Sequence, residues 1–163
     1  MGISAQAKKR AALIAIMIIG VLGSMALYSY AAVSEDDGRT FTLIAKNVQQ
    51  EELDLGEHGE SLGDQFIFSD DLFSEYDKHD KVGSDGGYCV VVRVNDPSQA
   101  VCHSVLSLEK GQIVVEGLVD LDDDLKKFTF AITGGTEAYR DASGELEVKL
   151  INEDKAELTV HLD

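Results

Sequence analysis

Cys89 and Cys102 are the only thiols in the chain, and His58, His79, His103 and His161 are its only imidazoles. The two cysteines flank Asn95-Asp96-Pro97-Ser98, a turn signal, and are equidistant from the bond between Asn95 and Asp96. A hairpin folded at that bond sets them opposite each other on antiparallel strands, where Cα atoms stand about 4.5–5.5 Å apart, within disulfide reach. In an oxidising compartment a structural bridge is expected; the alternative is a thiol acting as a nucleophile or donor in a pocket. The histidines lie far apart in sequence, and no H-x-x-x-H or C-x-x-C spacing is present, so no metal site is expected. Asp120-Leu121-Asp122-Asp123-Asp124 lacks the glycine and distal glutamate of a calcium loop and reads as a solvated turn.

Gly59-Glu60-Ser61-Leu62-Gly63 satisfies G-x-S-x-G. That pattern activates serine only where a buried strand turns sharply into a helix, and here it stands before a strand, so it reads as a loop. No glycine loop of the phosphate-cradling kind occurs. The remaining polar candidates interrupt apolar runs: Arg93, His103, Ser104 and Glu116. Three of these together with two tyrosines are the residues expected to contact a ligand, namely Tyr88, Arg93, His103, Glu116 and Tyr139. Catalytic residues are not assigned. On a closed sheet each strand residue points either inward or outward, and the apolar neighbours of this set leave its direction open.

The elements that must position these residues are strands. After a polar entry segment (32–39), β-rich runs cover Thr40–Asn47, Gln65–Phe73, Tyr88–Asn95, Ala100–Glu109, Gln112–Asp120, Lys127–Thr133, Glu145–Ile151 and Ala156–Leu162. Turn signals separate them, Asp85-Gly86-Gly87 and Glu109-Lys110-Gly111 among them, and most connections are short enough for antiparallel hairpins. The expected fold is all-β: an eight-stranded antiparallel barrel over 40–163, closed so that no edge is left unpaired. Leu146, Val148 and Leu150 alternate with charged residues, as do Leu158, Val160 and Leu162 with polar ones, giving one dry face and one wet. Val90-Val91-Val92, Val105-Leu106 and Ile113-Val114-Val115 are apolar on both faces. A solitary barrel with a solvated exterior needs no such pattern. A subunit interface or an overlying terminal segment would cover strands three to five. The two longest irregular stretches, Gln49–Gly63 and Glu75–Gly87, have the length of functional loops or of plain surface loops.

Ahead of these strands, Lys8, Lys9 and Arg10 precede an apolar stretch from Ala11 to Leu27, and no acid occurs before Glu35. This is the layout of a signal peptide over 1–31, with Ser29 and Ala31 suiting cleavage after Ala31. An uncleaved apolar helix over residues 11–33 would equally span a bilayer as an anchor. Either way the barrel is expected outside the cytoplasm, secreted or tethered to the outer face of the membrane, with membrane contact only through that segment. The chain has 163 residues, the size of one domain, and a net charge of −16. That charge repels phosphate backbones, so nucleic acid is not an expected partner.

The order of several short motifs resembles the allene oxide cyclase and dirigent superfamily, in particular its bacterial barrel-like members, over roughly residues 40 to 163. The motifs are Leu62-Gly63-Asp64, Asp71-Leu72-Phe73, Lys81-Val82-Gly83, Gly87-Tyr88-Cys89, Gly111-Gln112-Ile113-Val114-Val115-Glu116-Gly117, Ile132-Thr133-Gly134-Gly135-Thr136 and Ala142-Ser143-Gly144. The resemblance implies an eight-stranded barrel, often trimeric in plant relatives, with an apolar lumen that orients a small apolar molecule for ring closure or coupling without a cofactor. A carrier of apolar ligands or an extracellular structural protein is the alternative. Three departures bear on activity. Leu43-Ile44-Ala45-Lys46 lacks the glutamate and asparagine of the plant cyclases' first strand, Glu137 replaces a glycine, and Ser143 replaces a basic residue. Neither allene oxide cyclisation nor phenoxy-radical coupling is therefore expected. Cys89 falls at a position that is cysteine in plant cyclases.

Overall fold

Eight amphipathic strands can bury their apolar faces without a covering layer by curling the sheet until its first and last strands pair. The computed structural model shows this outcome; it describes residues 39–56, 58–76, 79–121 and 125–163. The strands are β1 (Arg39–Leu53), β2 (Gln65–Ser74), β3 (Lys81–Arg93), β4 (Gln99–Leu108), β5 (Gly111–Asp120), β6 (Lys127–Gly135), β7 (Gly144–Asn152) and β8 (Lys155–Leu162), with a short 3-10 helix at Glu137–Tyr139 between β6 and β7. Each pairs antiparallel with the next, and β1 also pairs with β8, Arg39 opposite Leu162 and Lys46 opposite Lys155, which closes the barrel. The expected signal or anchor segment, with the apolar helix expected for it, lies outside the described residues. Among the described residues no helix is long and apolar enough to cross a membrane.

Two boundaries differ from expectation. β1 runs on to Leu53, through the first third of the stretch Gln49–Gly63 read as irregular. β3 begins at Lys81, so Ser84-Asp85-Gly86-Gly87 is strand and not turn. Pairing on both sides explains the second difference: Asp85 lies opposite Asp70 of β2 and Leu106 of β4, and Gly87 lies opposite Phe68 and Ser104. Tertiary ladder bonds outweigh the weak strand preference of Asp and Gly.

Inward residues divide the lumen along its axis. At one end Leu72, Leu106, Ile113, Val115 and Val160 are fully buried and fill the interior, each such side chain contributing about 1.5–3 kcal/mol through burial. The 3-10 helix lies at this closed end, where Tyr139 packs against the core. The chain also enters and leaves here, since Arg39 pairs with Leu162. Two of the motif runs that carry the resemblance meet at the same end: Gln112 N–H donates to Thr136 Oγ1 and Thr136 N–H to Gln112 O, both at 2.9 Å. At the other end the inward side chains stand apart and leave a cavity.

Candidate functional site

The cavity measures about 440 Å³, within the range that admits a small organic molecule. Two aromatic pairs form much of its wall. Phe66 and Phe68 of β2 stack at 5.9 Å between centroids, and Phe128 and Phe130 of β6 meet edge to face at 5.2 Å. Val119, Leu146, Val148, Leu150 and Leu158 complete most of the apolar surface, and the turn from Asn152 to Lys155 borders the mouth. Glycine makes room for one ring: a Cβ at Gly117 would stand 2.7 Å from Phe130 Cδ1.

The Cys89–Cys102 disulfide also lines the cavity. Its residues are directly opposed in the β3–β4 register, as the symmetric hairpin predicts. The bridge therefore serves as a structural cross-link and at the same time as part of the wall.

Polar groups gather where the hollow half meets the filled half. Asn47, Asp70 and Asp85 come from β1, β2 and β3, and all line the cavity. A bulge between Asn47 and Gln49 inserts exposed Val48 and shifts the register just past Asn47; such bulges re-aim side chains beside functional sites. Asn47 Nδ2 donates to Asp70 Oδ1 at 3.0 Å. Asp70 and Asp85 are cross-strand partners, and inward carboxyls at opposed positions on one face stand within interaction distance. Asp85 is 9% exposed, and its Oδ1 has no hydrogen-bond partner. Burial, then the neighbouring Asp70 carboxylate, pushes the Asp85 carboxyl up to about 8. Burial raises Asp70 as well, against the opposing hydrogen bond from Asn47. The pair thus holds a proton at neutral pH, as two facing carboxylates cannot both ionise cheaply in a dry site. It can donate a proton to a bound molecule or accept one from it.

None of the five residues expected to contact a ligand lines this cavity. Strand phase is the reason. Cys89 and Cys102 point inward, so their neighbours Tyr88 and His103 point outward, and Glu116, opposite His103, does too. Tyr88, 47% exposed, and His103 lie with ring centroids 5.7 Å apart beside a shallow outer groove. Arg93 is exposed beyond a register shift at the end of β3. Tyr139 is at the closed end.

The residues that do face the cavity left a readable trace for one of them. In Phe66-Ile67-Phe68-Ser69-Asp70-Asp71-Leu72, Asp70 shares the face of Phe66, Phe68 and Leu72, a carboxyl inside an apolar stripe. Asp85 left none, because its surroundings imitate a turn. The first strand does present an asparagine to the lumen, Asn47, one residue beyond the stretch from Leu43 to Lys46.

Ser61 is not a nucleophile at an elbow. Its hydroxyl donates to Leu55 O at 2.7 Å, and Asp64 accepts from Ser61 N–H and Leu55 N–H, which holds the loop together. These bonds also keep the Asp64 carboxyl below its usual range. Among the described residues no group of three or more His, Cys, Asp or Glu side chains is placed to hold a metal ion.

A closed antiparallel barrel with an apolar cavity of this volume and a polar floor has room for a small organic molecule. Residues 40–162 match the model for the allene oxide cyclase barrel like domain, and the chain belongs to that family. Among solved structures it is similar to a pyocyanin demethylase, with 35% identity and a TM-score of 0.69 over 77% of this chain and 100% of that one. An exo-specific intermolecular Diels-Alderase, AbnU, shares the fold at 16% identity and a TM-score of 0.64, covering 77% of this chain and 98% of its own. A pterocarpan synthase dirigent protein shares it at 14% and 0.58, covering 79% and 95%. Comparison with the curated proteins returns no match.

Proposed function

We propose that the barrel takes one flat, largely apolar small molecule through its open end and performs cofactor-free acid–base chemistry on it, with Asp85 holding the proton and Asp70 setting its acidity. The observation that carries this reading is a carboxyl pair, buried Asp85 beside half-buried Asp70, on the floor of an apolar cavity of about 440 Å³. An all-apolar lumen would favour carriage alone, and a filled one a structural role. A dry site strengthens each charge interaction and excludes competing water. The relative at 35% identity is a pyocyanin demethylase, which makes pyocyanin, a planar aromatic, the first substrate to assay. The expected result is turnover that falls about a hundredfold or more in Asp85→Asn, with ligand retention intact. Retention without turnover in the unaltered protein would leave a carrier; absence of both would remove the reading.

The barrel is further proposed to work outside the cytoplasm, secreted or tethered through residues 11–33. The disulfide supports an oxidising compartment. Self-association through the outer face of β3 to β5, as a trimer by resemblance, is the proposed use of its apolar residues.

A further inference from the structure

We infer that the cavity is built for a planar aromatic cation whose positive charge seats against Asp70 and Asp85. The inference rests on the small-molecule reading above and supplies its substrate class. Three observations carry it. The wall is aromatic and apolar, with the Phe66–Phe68 and Phe128–Phe130 pairs facing the space, a surface that favours flat rings and attracts cationic ones. The floor carries two carboxyls on adjacent strands, one of which, nine-tenths buried Asp85, offers an oxygen with no donor. A buried acceptor left unmade is costly, and a cation or its N–H supplies the missing partner.

The third observation is that, among the described residues, no protein cation faces the pair. From β1 the facing side chain is Asn47, and from β4 it is Ser104, whose hydroxyl is spent on Gly86 O at 3.2 Å. From β2 it is Asp70, with Asp71 behind it on the outer face, where Asp71 pairs with Lys81 at 2.6 Å. β7 and β8 offer Leu146 and Leu158. Lys46 stands on the outer side over the Phe73 ring. Lys155 borders the mouth together with Glu153 and Asp154. The ligand itself must therefore bring the positive charge. Because the pair retains a proton at neutral pH, a cation that binds it expels that proton, and affinity rises with pH until the proton is already gone.

The test compares two tricyclic probes of the same outline, 10-methylacridinium, permanently charged, and phenazine, neutral, by equilibrium dialysis against the full-length protein. At pH 8 the cation is expected to bind at least about tenfold more tightly than phenazine. Its affinity is expected to climb between about pH 6 and pH 8, by no more than the tenfold per unit of a one-proton exchange, while phenazine binding stays level. Asp70→Asn/Asp85→Asn is expected to abolish the preference and leave phenazine binding within about threefold. Should that variant not fold, the pH series on the unaltered protein decides. Equal affinity for the two probes, or a preference that does not change with pH, overturns the cation inference and leaves the small-molecule reading standing. Failure of both probes to bind overturns both.

Discussion

Two residues hold unfavourable positions whose energies can be measured. Asp85 has a folded pKa of about 8 against 3.8 for the free side chain, so the folded state keeps a proton that the unfolded chain releases. Its contribution is whole below about pH 4 and is lost as pH rises towards 8. Asp70 moves in the same direction and deepens the slope. Asp85→Asn is therefore expected to flatten stability between pH 5 and 8 and to stabilise the protein by about 2 kcal/mol or more at pH 7.5, with no gain near pH 4; urea titrations at the two extremes read this directly. Glu137 is the second case. It has φ of 53°, a left-handed conformation costing a side chain about 1–2 kcal/mol, at a place where the family pattern has glycine. Part of that cost returns as chain entropy in a glycine variant, so Glu137→Gly is expected to raise stability by about 0.5–1 kcal/mol. An unchanged melting midpoint would show that the strain is relieved elsewhere.

Among the elements, β3 matters most. It supplies Asp85 to the floor, Gly87 beside Phe68 and Cys89 to the wall, and it was half concealed in the sequence because polar and glycine residues there serve the lumen. Gly87 is needed at that place: a Cβ would stand 2.9 Å from Phe68 Cζ and would also meet His103 O of β4. The hairpin of β3 and β4 is cross-linked by Cys89–Cys102 across a separation of 13 residues. Closing a loop of that size is worth about 3 kcal/mol in the chain-entropy account. Replacing both cysteines by serine is expected to lower unfolding free energy by about 2–3 kcal/mol, measured by urea denaturation, with ladder pairing of the hairpin retained. A change below about 0.5 kcal/mol would mean that the ladder alone constrains the unfolded hairpin.

For the whole molecule, the charge of −16 and the apolar outer face of β3 to β5 pull in opposite directions. In register, Gln65, Val90, Val101 and Leu118 form one outward row across β2 to β5, and Ile67, Tyr88, His103 and Glu116 form the next. Leu118 is 55% exposed. Exposed Ile67, Tyr88 and Leu118 on this face are proposed as part of a contact surface, with a second copy of the chain as its occupant. Sedimentation equilibrium at micromolar concentration is expected to give an oligomer that Leu118→Asp converts to monomer. A monomeric unaltered protein would remove the proposal and leave the face without a partner.

Strand number, antiparallel order, closure and the facing cysteines were legible along the chain, because hydrophobic alternation, hairpin turns and pairing symmetry are local properties. The direction of each face was not: a period of two states which residues share a side, and only closure of the barrel decides which side is inside. Tyr88, His103 and Glu116 face outward for that reason, each one position from an inward neighbour. The carboxyl pair lay further out of reach, since Asp70 and Asp85 become a proton-holding unit only when β2 and β3 pair and burial removes the water that would otherwise keep both ionised.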